Sequence, residues 1–211
     1  MRRFSLPAVF IPMAICLGYT VRVGWEGNTG DAWKNTIISD GYGYYAYLPC
    51  VFIYHQFDYK RVLKEAQKAR SAAYNSTSIV FGNKEVNKCF PGVALLLIPF
   101  FLIAYFLSLI LGYSTGGYEF LFQVSVSIGA LFYLAVGLIF LRKIFKMYGV
   151  SEFIACLTLI TIVFGTNLFY YSTVATSMSH VYSFGLTAVF LYYTKKSIDE
   201  FRLRYLVPMV I

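Results

Sequence analysis

The chain has 211 residues, 58% of them hydrophobic and 13% charged, with 20 Phe, 19 Tyr and 2 Trp. A water-soluble domain carries about 25% charged residues, and the mean hydropathy here is +0.62. These values exclude disorder, a fibrous repeat and an ordinary soluble globule, and leave an all-α, polytopic transmembrane protein. A formal charge of +8 in a soluble protein would raise the question of nucleic acid. Here the Lys and Arg residues sit between apolar runs, where topology accounts for them, so no nucleic-acid partner is expected.

Arg2 and Arg3 precede the first apolar run, Leu6 to Val21. No small-residue cleavage site follows it, so it reads as an uncleaved first span with Arg22 and Trp25 at the interface. From Glu26 to Lys88 the chain is mostly polar. Within it, Gly43 to Phe57 is aromatic and apolar but interrupted by Pro49. It falls short of the roughly 20 residues a span needs and fits a helix lying at the membrane surface. Tyr59 to Tyr74 predicts a second, basic amphipathic helix. Cys89 to Tyr113 is apolar and interrupted by Pro91 and Pro99, and Phe120–Leu141, Phe153–Tyr171 and Met178–Tyr193 are each long enough to cross. The chain stops at Ile211, in the opening residues of another apolar run.

Short loops rich in Lys and Arg stay on the cytoplasmic face. Two apolar runs separate the cluster Arg142, Lys143, Lys146 from the cluster Lys195, Lys196, Arg202, Arg204, but three separate Arg3 from Arg142. The parity is restored if the run 89–113 does not cross and instead dips into, or lies along, the outer leaflet. Residues 26 to about 119 then form one large extracytoplasmic loop carrying juxtamembrane helices, and 172–177 is a second outer tip. In the alternative, every run crosses and the basic rule is broken once. On either arrangement residues 1–211 form a single membrane domain.

None of the cysteines, Cys16, Cys50, Cys89 and Cys156, forms a Cys-x-x-Cys pair, so neither a zinc nor a thioredoxin-type site is indicated. Cys50 and Cys89 flank one hydrophilic segment, where a disulfide is one option. Asn75-Ser-Thr77 matches the glycosylation pattern and is given no weight.

Three positions carry candidate chemistry. Asp40 lies in Ile37-Ile-Ser-Asp-Gly-Tyr-Gly-Tyr-Tyr-Ala-Tyr-Leu-Pro49. A carboxylate among tyrosines at the lipid–water boundary can serve as a general base; the plainer alternative is an N-cap for the helix that follows. Lys88, just before an apolar segment, can pair with a lipid phosphate or simply snorkel. His180 stands among hydroxyls at the outer start of a span. It can face the same cavity as Asp40 and Lys88 or pack within a Thr/Ser cap.

Taken together, the order of these positions resembles the GT-C superfamily of polytopic glycosyltransferases, nearest the protein mannosyltransferase-like and aminoarabinose transferase-like enzymes. Asp40-x-x-x-Tyr44 is similar to the family's acidic motif after the first span, and Glu85…Lys88…Pro91 to its acidic-Lys-Pro stretch. Gly41 stands where the family has a second acid, and no acid stands near His180. The resemblance covers most of the chain but only the N-terminal portion of such an enzyme. It implies transfer of a sugar from a polyprenyl-phosphate carrier to an acceptor on the outer face, with membrane lipid as the surrounding partner. In that scheme Asp40 is the general base, and Lys88, His180, Tyr44 and Tyr45 bind the lipid phosphate or the donor. No cofactor is implied, and the donor sugar, the acceptor and any use of a divalent metal stay open. The short basic loops favour a bacterial inner membrane. The competing readings are a non-catalytic or truncated membrane module acting with a partner, and a lipid or solute transporter; the absence of charges within 120–141 and 153–171 speaks against the last.

Overall fold

The computed structural model describes residues 7–55, 59, 60, 62, 64, 78–81 and 84–201. The predicted helix at 59–74 therefore lies mostly outside the described residues, as do Asn75, the first six residues and the basic residues beyond Phe201. The described chain is an assembly of helices with one small antiparallel hairpin, Ser78–Phe81 (β1) and Lys84–Asn87 (β2), in register Ile79 to Val86. The sequence reading did not anticipate this hairpin.

Helix α1, Pro7–Tyr19, runs directly into a π-helical segment, Thr20–Glu26. Its buried face (Ala8, Val9, Pro12, Cys16) follows helical spacing, while Phe10, Ile11, Ile15 and Leu17 are exposed. An outward face of that kind fits a lipid solvent. A 3₁₀ turn at Ala32–Asn35 leads to two short helices, α2 (Asp40–Tyr45) and α3 (Tyr47–Phe52). The remaining helices follow: α4 (Gly92–Leu111), α5 (Phe120–Met147), α6 (Glu152–Phe164), the short α7 (Leu168–Thr173) and α8 (Ser179–Glu200).

Among the described residues, three helical stretches are long and apolar enough to cross a membrane: Pro7–Glu26, Gly92–Leu111 and Phe120–Met147. They make the chain membrane-associated. Two expectations need correction. The run at 92–111 is not broken by Pro99: α4 is continuous, with Pro99 on its exposed side, because one missing amide costs a helix one hydrogen bond and need not end it. The run Phe153–Tyr171, in contrast, is not one helix. α6 ends where the Gly165 amide donates to the Thr161 carbonyl, and the Thr166 hydroxyl both donates to Ile162 O and accepts from Leu168 N. With 13 residues, α6 spans about 20 Å, short of a roughly 30 Å hydrocarbon core. α8 is long but falls outside the three most apolar stretches, since its last turns carry Lys195, Lys196, Asp199 and Glu200.

α4 and α5 pack antiparallel: Phe101 meets Phe122, Gly129 lies under Leu97 and Phe100, and the Tyr133 hydroxyl donates to Leu96 O. The pair is staggered. Gly92 begins near the level of Tyr133, and α5 continues beyond α4 to Met147. α5 and α8 instead run parallel, from Val126 beside Tyr182, through Tyr133 beside Gly185 and Gly137 beside Phe184, to Phe140 against Tyr192 and Tyr193. Glycines at 137 and 185 permit this approach, since a Cβ at either would overlap the facing helix. The parallel arrangement brings the described basic residues to one end: Lys143 lies over Tyr192, Lys195 over Tyr148, and Lys146 pairs with Glu152. At the other end α1 closes on α7, with Tyr19 edge-on to Phe169.

Candidate functional site

The end opposite the basic residues is where the loops meet. The backbone amide of Ile37 donates to Gln123 Oε1 (2.9 Å), and Gln123 Nε2 donates to Tyr118 O (3.1 Å). The amide of Ile38 donates to the Ser177 hydroxyl (3.1 Å). These bonds fasten the segment before α2 to α5 and to the loop before α8. Gly41 then rests on Ser177, so closely that a Cβ would overlap the Ser177 hydroxyl and come within 2.8 Å of its carbonyl carbon. Gly43 is equally confined, against Cys89 Sγ and Asn87 Oδ1. Asn87 Nδ2 donates to Gly43 O (2.7 Å), and the Cys89 amide donates back to Asn87 Oδ1 (3.0 Å). The two glycines that flank Tyr42 are therefore there for close approach, each to a different partner.

Asp40 opens α2. Ser39 occupies the N-cap position with φ of 49°, and no side chain caps the helix. Asp40 is thus the first helical residue and does not serve as the N-cap. Its half-buried carboxylate has no hydrogen bond or ion pair among the described residues. Cys89 approaches its backbone, with Sγ 3.8 Å from Asp40 O. Burial pushes the Cys89 thiol up, the Asp40 charge pushes it further, and the Lys88 ammonium partly offsets both. Asp40 and Lys88 therefore both act on Cys89, bringing the predicted base and the predicted phosphate ligand to one neighbourhood. Lys88 is exposed.

Beside them is a cavity of about 330 Å³. Tyr44, one turn beyond Asp40, lines it together with Phe90, Val93 and Leu96 from the start of α4, and Ser179 and Ser183 from α8. Asp40 is one helical turn from Tyr44 of the wall and Lys88 two residues from Phe90, but neither is itself part of the wall. The wall is mostly hydrocarbon and aromatic with a few hydroxyls, a surface for a chain with a polar head. Phe90 and Leu95, also of the wall, are largely exposed at 83% and 63%.

Two predicted site residues lie elsewhere. Tyr45 is 1% exposed, packs on Phe101 and Tyr118, and donates its hydroxyl to Gly117 O (2.6 Å). Burial holds its phenol well above the usual range, so it is a core residue with no face left for a ligand. His180 is exposed and stacks flat on Tyr171, centroids 3.7 Å apart. Ser179, Tyr182, Ser183 and Leu186 of the same helix face the cavity. His180, about 100° further round the helix than Ser179, looks toward α7. Cys50 and Cys89 are both buried free thiols. No three His, Cys, Asp or Glu side chains gather into a metal-binding group among the described residues.

The positioning residues Gln123, Ser177 and Asn87 were not singled out from the sequence. Gln123 had a visible signal, as the lone amide in the apolar run 120–141; Ser177 and Asn87 had none. No protein-family model, curated protein or solved structure matches the chain.

Proposed function

We propose that the protein is a membrane glycosyltransferase, or the catalytic front of one, that moves a sugar from a polyprenyl-phosphate carrier to an acceptor hydroxyl. The observation that carries this reading is an uncommitted carboxylate at Asp40, beside an apolar, hydroxyl-bearing cavity, with the Lys88 ammonium nearby across Cys89. The isoprenoid end of the donor occupies the cavity along Tyr44, Phe90 and Val93. Asp40 takes the proton from the acceptor hydroxyl as its oxygen forms a bond to the anomeric carbon. The bond from that carbon to the phosphate oxygen breaks, and the phosphate leaves with the electron pair. Lys88 stabilises the departing charge, an electrostatic contribution that is often the largest in such a step. The reaction runs on the face away from the basic ends of α5 and α8, and a bacterial inner membrane is the setting that fits the short basic loops.

The test uses the full-length gene product in membrane vesicles with polyprenyl-phosphate-linked sugars. Asp40→Asn is expected to lower transfer by about 10²- to 10⁴-fold, the range of a lost general base, with the protein still folded. Lys88→Gln is expected to lower both turnover and donor affinity. Full transfer by Asp40→Asn would overturn the assignment.

A further inference from the structure

A second cavity, of about 460 Å³, lies at the far end of α4 and is separate from the one beside Asp40. Its wall includes Trp33, Ser108, Tyr113, Ser114, Glu119 and Phe120. With Leu121 completing the wall, three of its seven residues are aromatic. Trp33 and Phe120 meet edge to face, with centroids 5.5 Å apart, and Tyr113 is 60% exposed at the rim.

Glu119 is the one charged residue of the wall among the described residues. Its carboxylate accepts from the Ser114 hydroxyl (2.7 Å) and from the amides of Gly116, Gly117 and Tyr118 (3.1, 2.9 and 3.1 Å). Four donors fix its orientation without cancelling its charge. No Lys, Arg or His pairs with it among the described residues. The nearby ammonium of Lys34, over the Trp33 ring, is held by Asp31 at 2.9 Å. Deeper in the wall, Ser108 is 1% exposed and its hydroxyl has no partner. Buried hydroxyls are almost always hydrogen-bonded, so this one marks a place for a polar group entering from the cavity.

An anion is disfavoured here by Glu119, and a plain hydrocarbon leaves Ser108 unanswered. Aromatic faces attract organic cations, a fixed carboxylate adds to that attraction, and a hydroxyl beside the cation answers Ser108. We infer that this cavity binds a compact organic cation bearing a hydroxyl, of the amino-alcohol class. The site is independent of the sugar-transfer reading and shares no residue with it.

The test follows the fluorescence of Trp33 in a Trp25→Phe protein, which retains one tryptophan, in detergent micelles at constant ionic strength. Choline is titrated against 3,3-dimethyl-1-butanol, its uncharged carbon counterpart. A saturable change with choline, at least ten times weaker with the alcohol, is expected. Glu119→Gln should remove that preference, and Ser108→Ala should weaken choline several-fold while leaving tetramethylammonium unchanged. If Glu119→Gln does not fold, Tyr113→Leu, which leaves the Glu119 hydrogen bonds in place, is expected to weaken choline several-fold. Asp40→Asn should have no effect on any of these. Glycerophosphocholine, whose choline oxygen is tied up in an anionic phosphodiester, is expected not to bind; binding equal to choline would overturn the requirement for a free hydroxyl. Equal response to choline and the alcohol, or no saturable response to either, overturns the inference.

Discussion

In the first half of α5, Gln123, Ser125 and Ser127 are buried, and the helix is joined to its surroundings by directed bonds: Ile37 to Gln123, Gln123 to Tyr118, Ser127 to Thr176. In the second half Leu134 and Leu138 are buried, Gly137 receives the Phe184 ring, and Phe140 packs on Tyr192 and Tyr193. The apolar half needs only complementary shape, which tolerates small shifts. The polar half fixes the loops by hydrogen bonds, which do not tolerate them because an unanswered buried group is costly. Asp40 is fastened to the polar half through Ser177, where position is set most tightly, and its cavity lies at the level of Tyr133, where the two halves meet.

That contrast can be broken or sharpened by substitution. Gly41→Ala should have the largest effect, since its Cβ meets Ser177 backbone as well as side chain. A loss of about 3 kcal/mol, the upper end of ordinary overpacking, is expected in denaturant melts, with transfer activity lost alongside. Gln123→Leu should cost about 2 kcal/mol, because it removes the two buried hydrogen bonds Gln123 makes to the Ile37 amide and the Tyr118 carbonyl. Limited proteolysis should then cut near residues 36–40 before the rest of the chain. Gly137→Ala should cost about 1 kcal/mol, since the Phe184 ring it meets is a side chain with room to turn, and proteolysis at 36–40 should stay as in the parent. A larger loss from Gly137→Ala than from Gln123→Leu would reverse the comparison.

The smallest expected effect is on the Cys89 thiol. The Asp40 carboxylate raises its pKa and the Lys88 ammonium lowers it. Asp40→Asn should therefore move the pH profile of Cys89 alkylation to lower pH, and Lys88→Gln should move it to higher pH. The rates are measured with iodoacetamide in a protein whose other cysteines are alanine. An unmoved profile in both variants would mean that neither charge acts on Cys89.

Much of the helical plan is legible in the sequence because hydropathy is additive along a chain. The apolar runs Leu6–Val21, Cys89–Tyr113 and Phe120–Leu141 needed no knowledge of their neighbours, although the continuity of 92–111 through Pro99 did not show in the sequence. Gly41 and Gly43 stand beside Asp40 in the sequence, but that they sit within a helix and are small because Ser177 and Cys89 press on them is set by tertiary packing. Three features depended on tertiary phase. His180 and Ser179 are adjacent in sequence, yet only Ser179 faces the cavity, and nothing local decides which. Tyr44 and Tyr45 divide in the same way, one to the cavity and one to the core. The break at Gly165–Asn167 relies on a threonine replacing helix hydrogen bonds, a substitution that hydropathy does not register.

The parallel contact between α5 and α8 has a consequence for the order in which the chain is made. A ribosome adding roughly 5–20 residues per second completes Gly137 several seconds before Phe184, about fifty residues later. Through that interval the notch in α5 has no aromatic ring to fill it. A newly made α5 must wait until α8 arrives, whereas α4 meets its partner once the short turn at 112–119 and the first turns of α5 through Tyr133 are made. Assembly is then paced by the return of the chain through α6 and α7, and a slowed ribosome in that stretch should prolong the time α5 is open to the wrong neighbour.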